Sequence, residues 1–328
     1  MTRRAILLTG GAGFIGSRVA RILLARGDAV VAIVRDPEMT GARALRELGA
    51  RLVRGSLNEE ALIRESATGT DGVIHVAGSY RVGIPVSERP AMYEANVTTT
   101  QRVLDAAIAA GVPRIVHVST VNVFGDTHGR VPDETYRRDP TEGFISYYDE
   151  TKYLAHLAAR ARAEAGAPIV IVQPGTVYGP NDHSGIGAQL KAAYDGTAAF
   201  IAFASTGISP THVDDIATGI VAAFDLGRVG EAYILTASNV RLGEAMRLAA
   251  RAAGRRPPRL TIPNVVLRAG SLLAPNAGAL FGLSPNLREI VRASDGVTYW
   301  GSNAKAVSEL GFAPRSLDVG LVDAFEGT

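Results

Sequence analysis

Three glycines near the start of the chain constrain its fold more than any other feature. An apolar run at residues 5–8 precedes Gly10, Gly13 and Gly16, and apolar residues recur at helical spacing over residues 17–24. A short apolar run is typical of a buried strand, and the later spacing is typical of a helix that buries one face. The glycines therefore lie in a turn between a strand and a helix, the context in which such a pattern is informative.

This turn predicts a binding site for the phosphates of a dinucleotide. Without side chains, the backbone can approach a pyrophosphate, and the following helix presents free N–H groups and a positive dipole. The spacing Gly-x-x-Gly-x-x-Gly, with Thr9 in front, resembles the extended short-chain dehydrogenase/reductase superfamily. That superfamily includes nucleotide-sugar epimerases and dihydroflavonol-reductase-like enzymes. The resemblance implies that the coenzyme is contacted by Gly10, Gly13, Phe14, Ile15 and Gly16.

The composition fits a globular protein of one large domain or two joined domains. The chain has 328 residues, of which 47% are hydrophobic, and a formal net charge of +2. Nothing in this balance indicates a nucleic acid or an anionic membrane as a partner. The chain contains no cysteine, which excludes disulfides and thiolate chemistry, and we expect no metal site. Residues 1–4 lead directly into the first strand without a signal-peptide pattern, so we expect a cytoplasmic protein.

The apolar stretch at residues 260–283 needs a separate interpretation. Prolines, asparagines and Arg268 interrupt it, whereas a membrane-spanning helix needs about 20 predominantly apolar residues. We therefore expect a buried or substrate-lining helix there.

Apolar runs alternate with helical patterns along the chain and predict an α/β fold, a doubly wound parallel sheet of the Rossmann type. Strands are expected at residues 29–34, 52–53, 73–78, 114–120, 169–172 and 233–235. We assign residues 1–180, with a return segment at 211–237, to a dinucleotide-binding domain. Residues 181–210 and 238–328 form a smaller substrate domain in this prediction.

The residues after the second strand bear on the choice of coenzyme. In dinucleotide folds, an acid about 20 positions past the glycines accepts from the ribose 2′-hydroxyl, whereas an arginine binds a 2′-phosphate. Here Val34 and Arg35 stand near that position, and the segment Val-Arg-Asp-Pro resembles the NADP-using, dihydroflavonol-reductase-like branch. We therefore expect NADP(H), with Arg35 as the phosphate ligand and Arg43 as a helper. If Arg35 is only a surface charge, Asp36 takes the hydroxyl and the coenzyme is NAD.

The resemblance implies further coenzyme contacts along the chain. Family members usually carry Asp-Leu after the third strand to reach the adenine, whereas this chain has an uncharged Ser-Leu pair. Small residues at the fourth strand let the coenzyme pass, and an asparagine on a long helix from Tyr93 to about Ala110 supports the active site. The implied contacts are Ser56, Leu57, Val76, Ala77, Gly78, Asn96, Val118, Pro174, Gly175, Thr176 and Val177.

Tyr148 and Lys152 are the strongest candidates for catalysis. They stand four residues apart on a segment that is predicted to be helical from Tyr148 to Ala165, so their side chains share one face. A free tyrosine has a pKa of about 10, and a nearby ammonium lowers that pKa toward the range where proton transfer is efficient. The chain has only three lysines, and this pair falls after the fifth strand, where the superfamily places it. The same lysine can also hold the nicotinamide ribose.

A third catalytic group should polarise the substrate oxygen. The family pattern of two small hydroxyl residues before a Val-Tyr-Gly-like segment is similar to the segment from Ser119 to Gly125. Counting back from Gly125 gives Thr120 as the counterpart of the catalytic serine, and Ser119 is the alternative. Threonine keeps the hydroxyl but has a stiffer first side-chain torsion.

Two segments are candidates for contact with the substrate. The loop after the fourth strand carries Tyr80 and Arg81 at a carboxyl edge of the sheet, where ligands bind, although both could equally be rim residues. The segment Gln173-Pro174, usually Arg-Pro in the family, begins a loop that resembles the one beneath the nicotinamide, and Tyr178 in this loop is expected to face substrate.

Three functions follow from the resemblance. The first is NADP(H)-dependent reduction of an aldehyde or ketone to an alcohol, a small carbonyl compound being the substrate and Tyr148 the proton donor. The second is epimerisation or dehydration of a nucleotide sugar with bound NAD(P). The family's diphosphate-binding arginine has no match in residues 293–300, although Arg288 or Arg292 could substitute. The third is NADP sensing without catalysis. Relatives often form homodimers through the helices that carry Asn96 and Tyr148, and we expect the same here.

Overall fold

The structure is a computed structural model that describes residues 3–273 and 286–326. Its strands are β1 (Ala5–Thr9), β2 (Ala29–Val34), β3 (Arg51–Arg54), β4 (Gly72–His75), β5 (Ile115–Val118), β6 (Ile169–Pro174), β7 (Thr176–Tyr178), β8 (Phe200–Ile201), β9 (Gly207–Ile208), β10 (Pro210–His212), β11 (Ala232–Leu235), β12 (Val240–Arg241) and β13 (Leu260–Thr261). Seven of them form one parallel sheet in the order β11-β6-β5-β4-β1-β2-β3. The prediction of a doubly wound α/β fold is confirmed.

Helices cover both faces of this sheet. The helices of the described residues are α1 (Phe14–Ala25), α2 (Thr40–Glu47), α3 (Glu60–Ala67), α4 (Arg89–Tyr93), α5 (Thr99–Ala109), α6 (Tyr147–Glu164), α7 (Gly185–Asp195), α8 (Val213–Leu226), α9 (Leu242–Ala252), α10 (Asn264–Leu273), α11 (Leu287–Ser294), α12 (Ala304–Leu310) and α13 (Leu317–Phe325). One layer contains α1 and α8, and the other contains α3, α5 and α6.

The central strands are apolar because both faces of the sheet are buried. In β1, Ile6, Leu7 and Leu8 are each 0% exposed. Ile6 and Leu8 pack in the cluster that contains α1 and α8, whereas Leu7 packs in the cluster on the opposite face. This alternation fixes the register of β1 and directs its carboxyl end toward the glycine turn.

Most predicted strands have bounds within a few residues of those observed, and the largest differences are at strand ends. The strand predicted at residues 73–78 ends at His75, and the one predicted at 114–120 spans only Ile115–Val118. Residues 76–78 and 119–120 instead form irregular backbone at the carboxyl edge of the sheet. Both differences therefore leave these residues free to line a ligand site.

The long helix predicted from Tyr93 to about Ala110 is interrupted. It consists of α4, a π-helical turn over Glu94–Thr98, and α5. Such turns are rare overall, and those that occur are often found at functional sites. Asn96 lies inside this one.

A further apolar cluster joins α7, α9 and α13 beside the main sheet. Between its segments, α8 packs on α1 and β11 pairs with β6, so residues 213–226 and 232–235 belong to the layers of the central sheet. The domain boundaries themselves stay a prediction.

The apolar stretch at 260–283 is only partly described. Its described part contains α10, on which Val265 and Leu272 are 69% and 65% exposed. The first alternative, a buried helix, is therefore wrong for this part, whereas the second, a substrate-lining helix, stays a prediction. Residues 274–283 lie outside the described residues. Within the ranges that the structure describes, no helix has the length and apolar character needed to cross a membrane.

Candidate active site

The turn between β1 and α1 is shaped so that side chains are excluded from it. Gly10 has φ +71°, in the left-handed region, and a Cβ there would lie 2.7 Å from the backbone nitrogen of Ala77. A Cβ on Gly16 would collide with the backbone oxygen of Gly10, and one on Gly13 would lie 3.2 Å from the same oxygen. The turn therefore packs tightly against the segment after β4.

The N-terminus of α1 is open to an anion. The helix begins at Phe14, its N-cap is Gly13, no side chain caps it, and its first turn contains no acidic residue. Free N–H groups and the positive end of the helix dipole favour a phosphate in this position. The turn thus fits the pyrophosphate of a dinucleotide.

The side chains at the end of β2 fit an additional phosphate. Arg35 and Arg43 are exposed, and neither side chain makes a hydrogen bond or ion pair within residues 3–273 and 286–326. Asp36 Oδ1 accepts from the backbone N–H of Glu38 at 2.9 Å. Arg35 is therefore free to bind an anion, while one carboxylate oxygen of Asp36 stabilises its own turn.

The predicted adenine contacts follow β3. The Ser56 hydroxyl accepts from the backbone nitrogen of Asn58 at 3.2 Å, and the backbone nitrogen of Ser56 donates to Glu59 Oε1 at 2.8 Å. Ser56 and Leu57 are half-buried. Both residues lie at the carboxyl edge of the sheet, and the Ser56 hydroxyl still has its proton available.

Tyr148 and Lys152 lie in the first turns of α6, as their spacing predicts. The helix starts where Ser146 Oγ accepts from the backbone nitrogen of Asp149 at 3.1 Å. Tyr148 and Lys152 are 8% and 9% exposed. Lys152 Nζ donates to the backbone oxygen of Val118 at 3.1 Å, which attaches the helix to the end of β5.

Burial controls the acid–base properties of this pair. It raises the pKa of the Tyr148 phenol, with smaller contributions from Tyr80 and Asp149 in the same direction, and the Thr120 hydroxyl acts against them. Burial also lowers the pKa of Lys152 to about 8. The prediction that Lys152 lowers the pKa of Tyr148 is therefore wrong for this structure, because burial of the phenol dominates. The phenol stays protonated at neutral pH.

The two candidate hydroxyls at the end of β5 have different surroundings. Both residues are buried, and Ser119 Oγ hydrogen-bonds His156 Nδ1 at 3.0 Å. The Thr120 hydroxyl lies within reach of the Tyr148 phenol and acts to lower the pKa of that phenol. Of the two alternatives, the geometry favours Thr120 as the group that shares a substrate oxygen with Tyr148.

Asn96 supports this arrangement from the π-helical turn. It is 1% exposed, and its Nδ2 donates to the backbone oxygen of Ser79 at 3.0 Å and to Thr151 Oγ1 at 2.9 Å. Its Oδ1 accepts from the backbone nitrogen of Ser79 at 2.7 Å. A Cβ on Gly78 would lie 3.2 Å from this Oδ1. Asn96 thus connects the loop after β4 with the helix that carries Tyr148.

The three predicted substrate contacts have different positions. Tyr80 is 51% exposed and packs its ring edge-on against Tyr148 at 4.8 Å between centroids. Arg81 is exposed and forms an ion pair with Glu88. Tyr178 is 1% exposed in the cluster of α7, α9 and α13, and its ring meets His212 edge-on at 5.7 Å. The expectation that Tyr178 faces substrate is therefore corrected, because its ring belongs to the core.

The segment from Pro174 to Val177 is fixed by its backbone. Gly175 N donates to the backbone oxygen of Leu235 at 3.0 Å, and Thr176 N donates to that of Ser209 at 2.9 Å. These bonds hold the segment at the carboxyl end of β6. Gln173, which replaces the usual arginine, is buried, and its Nε2 has no hydrogen-bond partner within the described residues.

Sequence reasoning missed two contributors to the site. Asp149 is 1% exposed, and its Oδ1 accepts from Asn122 Nδ2 at 2.9 Å. Glu289 on α11 accepts from the backbone nitrogen of Tyr147 at 2.9 Å and so holds the start of α6. The serine three residues before Asp149 is a capping signal that could have indicated a buried acid there. Glu289 comes from a distant part of the chain and had no local signal.

In the part of the chain that the structure describes, no group of three or more histidine or acidic residues could hold a metal ion.

The fold and the site define an enzyme of the extended short-chain dehydrogenase/reductase class. The model of the NAD dependent epimerase/dehydratase family matches residues 6–235, and the chain belongs to this family. It is an NAD(P)-dependent oxidoreductase or epimerase.

Three known proteins illustrate its relatives. The chain is 32% identical to the "Putative dihydroflavonol 4-reductase" of Synechocystis sp., over 97% of this chain and 92% of that protein. The crystal structure of gox2253 is 32% identical, covers 98% of this chain and 97% of its own, and has a TM-score of 0.83. The structure of MoeE5 with UDP-glucose and NAD is 26% identical, covers 98% and 97%, and has a TM-score of 0.74. The neighbours that bind NAD support a nicotinamide dinucleotide as the coenzyme of this chain.

Proposed function

We propose that this protein is an NADP(H)-dependent reductase that converts an aldehyde or ketone into an alcohol. The observation that carries the proposal is the position of Tyr148, whose phenol is buried, protonated and beside the Thr120 hydroxyl. A protonated phenol can donate to a carbonyl oxygen, whereas the reverse reaction requires the phenolate. The protonated phenol is therefore the form of Tyr148 that the direction of reduction requires.

The residues present fit a dinucleotide. The turn from Gly10 to Gly16 would hold the pyrophosphate, Arg35 the 2′-phosphate, and Lys152 the nicotinamide ribose. When bound, the coenzyme supplies the hydride. Support for NADP(H) over NAD comes from Arg35, which is exposed and has no ionic partner in the described residues, and from Asp36, which stabilises its own turn.

In this proposal Tyr148 donates its phenolic proton to the oxygen of the carbonyl substrate. The Thr120 hydroxyl polarises the same oxygen. Lys152 remains attached to the end of β5 through the Val118 carbonyl. Tyr80, with its ring against Tyr148, limits access of water to the phenol.

Epimerisation of a nucleotide sugar is the second candidate, because MoeE5 was solved with UDP-glucose and NAD. It requires cations for the diphosphate. Arg288 donates to the backbone oxygens of Ser271 and Leu272, which leaves Arg292, near Gly143, as the better ligand. The third candidate, a sensor without catalysis, gains no support from an intact Tyr148 and Lys152 pair.

The test is consumption of NADPH against a panel of aldehydes and ketones. We expect turnover by the wild type and a loss of at least about 100-fold in kcat for Tyr148→Phe, with an unchanged Kd for NADPH. Conversion of UDP-glucose without net NADPH consumption would replace reduction by epimerisation. Tight binding of NADPH with neither reaction would leave sensing as the function.

The proposal includes a homodimer formed through α5 and α6. Tyr93, Ile108 and Leu157 are 41%, 36% and 38% exposed on α4, α5 and α6, and burial of such apolar surface is the usual contribution to a dimer interface. Light scattering on the purified protein measures its mass directly, and a monomer would reject this part of the proposal. A cytoplasmic location, where NADPH is supplied, completes the proposal and is checked by cell fractionation.

A further inference from the structure

A line of hydrogen bonds runs from the Thr120 hydroxyl into the interior. Thr120 Oγ1 donates to Asn122 Oδ1 at 3.1 Å, and Asn122 Nδ2 donates to Asp149 Oδ1 at 2.9 Å. Asp149 follows Tyr148 on α6, and it is buried at 1% exposure. Its second oxygen, Oδ2, is buried without a hydrogen-bond partner in the described residues. The side chain of Asn122 thus connects a candidate catalytic hydroxyl with a buried acid.

The direction of these bonds determines what Thr120 can do. Its one hydroxyl proton faces Asn122 Oδ1, and its oxygen accepts from the backbone nitrogen of Asn122 at 3.2 Å. In this arrangement Thr120 has no proton to donate to a carbonyl oxygen. Polarisation of a carbonyl needs a donor, so the arrangement seen here is unsuited to the reduction step.

The direction depends in turn on the state of the Asp149 carboxyl. A carboxylate can only accept, so the Asn122 amide must present Nδ2 to it and Oδ1 to Thr120. A carboxylic acid can donate instead, and the amide can then present Oδ1 to Asp149 and Nδ2 to Thr120. In that second arrangement Thr120 accepts from both nitrogens of Asn122, and its proton is free for the substrate.

We propose that Asp149 is a positioning residue that sets, through the Asn122 amide, whether the Thr120 hydroxyl donates to the substrate oxygen or to the protein. The idea rests on the proposed reductase function, which makes that donation necessary. It assigns Asp149 no contact with substrate or coenzyme. The protonated acid corresponds to the active arrangement for carbonyl reduction.

The surroundings of Asp149 permit both states near neutral pH. Burial raises the pKa of its carboxyl to about 6, while hydrogen bonds from Asn122 and Ser146 and the charge of Arg138 act in the opposite direction. Three phenols also face this group: Tyr148 on the same helix, Tyr80 from the loop after β4, and Tyr299 from the segment after α11. The Tyr299 phenol donates to the backbone oxygen of Ala293 at 3.0 Å, and the nearby Asp149 carboxylate contributes to the raised pKa of this phenol.

The first experiment needs no substrate. NMR on the ¹⁵N-asparagine-labelled protein follows the side-chain amide of Asn122, which is assigned by its loss in Asn122→Ala. We expect its signals to shift between pH 5 and pH 8 with a midpoint near 6, and to stop shifting in Asp149→Asn. Signals that do not move in the wild type, or that still move in Asp149→Asn, would overturn the proposal. This result is independent of whether the protein reduces carbonyls.

The second experiment distinguishes two ways in which Asp149 could affect catalysis. One is the reorientation of the Asn122 amide, called the relay here, and the other is a direct electrostatic effect of the Asp149 charge on Tyr148. With a carbonyl compound that the wild type reduces, we expect kcat/KM to fall about 100-fold as pH rises through the same midpoint, because the reacting oxygen loses one hydrogen-bond donor. Asn122→Ala keeps the acid but lacks the relay, so the inflection should disappear.

An inflection of the pH profile that persists in Asn122→Ala would show a direct electrostatic effect of Asp149 and reject the relay. Asp126→Asn is the matched control, because Asp126 lies on the same segment but bonds the backbone nitrogen of Thr298 at 2.9 Å, and it should keep the inflection. If Asp149→Asn fails to fold, the behaviour of Asn122→Ala and the wild-type NMR titration decide the question.

Discussion

Replacement of Arg35 by alanine should weaken NADPH binding and leave NADH binding unchanged. Arg35 is exposed directly after β2, and within the described ranges it has no hydrogen bond or ion pair. Removal of its side chain therefore breaks no hydrogen bond or ion pair of the described residues. Any change in affinity must come from the coenzyme.

The size of the effect follows from the exposure of this side chain. Two unit charges 4 Å apart attract by about 1 kcal/mol in bulk water and by about 4 kcal/mol at the effective dielectric constant of a protein surface. An exposed guanidinium lies near the lower limit, so we expect a loss of about 1–2 kcal/mol for NADPH. This corresponds to a roughly five- to thirtyfold higher Kd.

Isothermal titration calorimetry with both coenzymes measures the difference. Arg46→Ala is the control, because Arg46 pairs with Glu38 at 3.0 Å on the same side of the sheet and should affect neither coenzyme. Asp36→Ala tests the alternative, in which the acid binds the ribose 2′-hydroxyl and NADH loses affinity. Equal losses for NADPH and NADH in Arg35→Ala would refute the assignment of Arg35 to the 2′-phosphate.

Two further predictions concern the helix that carries the catalytic pair. Ser146→Ala should lower the free energy of unfolding by about 1 kcal/mol in a denaturant titration, because Ser146 Oγ caps α6. Ser184 is a comparable cap at the start of α7, so Ser184→Ala should have a similar effect. An unchanged denaturation midpoint in Ser146→Ala would contradict the capping role. Lys152→Met should raise Tm at pH 7 by about 2 °C or more. Burial lowers the pKa of Lys152 to about 8, so the folded protein is destabilised by a buried ammonium at this pH. The unfolded chain keeps this proton to about pH 10.4, so the stability of the wild type should rise between pH 8 and pH 10.4. Calorimetry should show no such rise for the variant. The same pH dependence in the wild type and the variant would be inconsistent with a buried ammonium.

The parts of the site that depend on local spacing could be predicted from the sequence. Gly10 and Gly16 are required because a Cβ at either position meets backbone of the same turn or of the adjacent segment. Tyr148 and Lys152 share a helix face, and the serine at position 146 begins that helix. In each case the relevant contacts join residues that are close in sequence or follow from the periodicity of one helix or strand.

The remaining features depend on contacts between distant segments. Tyr178 was expected at the substrate, but its ring packs with α7, α9 and α13, which the pattern around it does not encode. The direction of the pKa shift of Tyr148 is set by its burial beside Tyr80, from a loop 68 positions earlier. Selection between Ser119 and Thr120 required the position of His156 on α6.

The π-helical turn at Glu94–Thr98 has a consequence for comparisons across the family. It holds one residue more than an α-helical turn would, so loss of a single residue there would restore a continuous helix and rotate the preceding segment by about 100°. The amide that now joins Ser79 to Thr151 would leave both partners. Insertions and deletions at this point are therefore far less tolerable than their small size implies, and an alignment that slips by one position here would match Asn96 to the wrong residue.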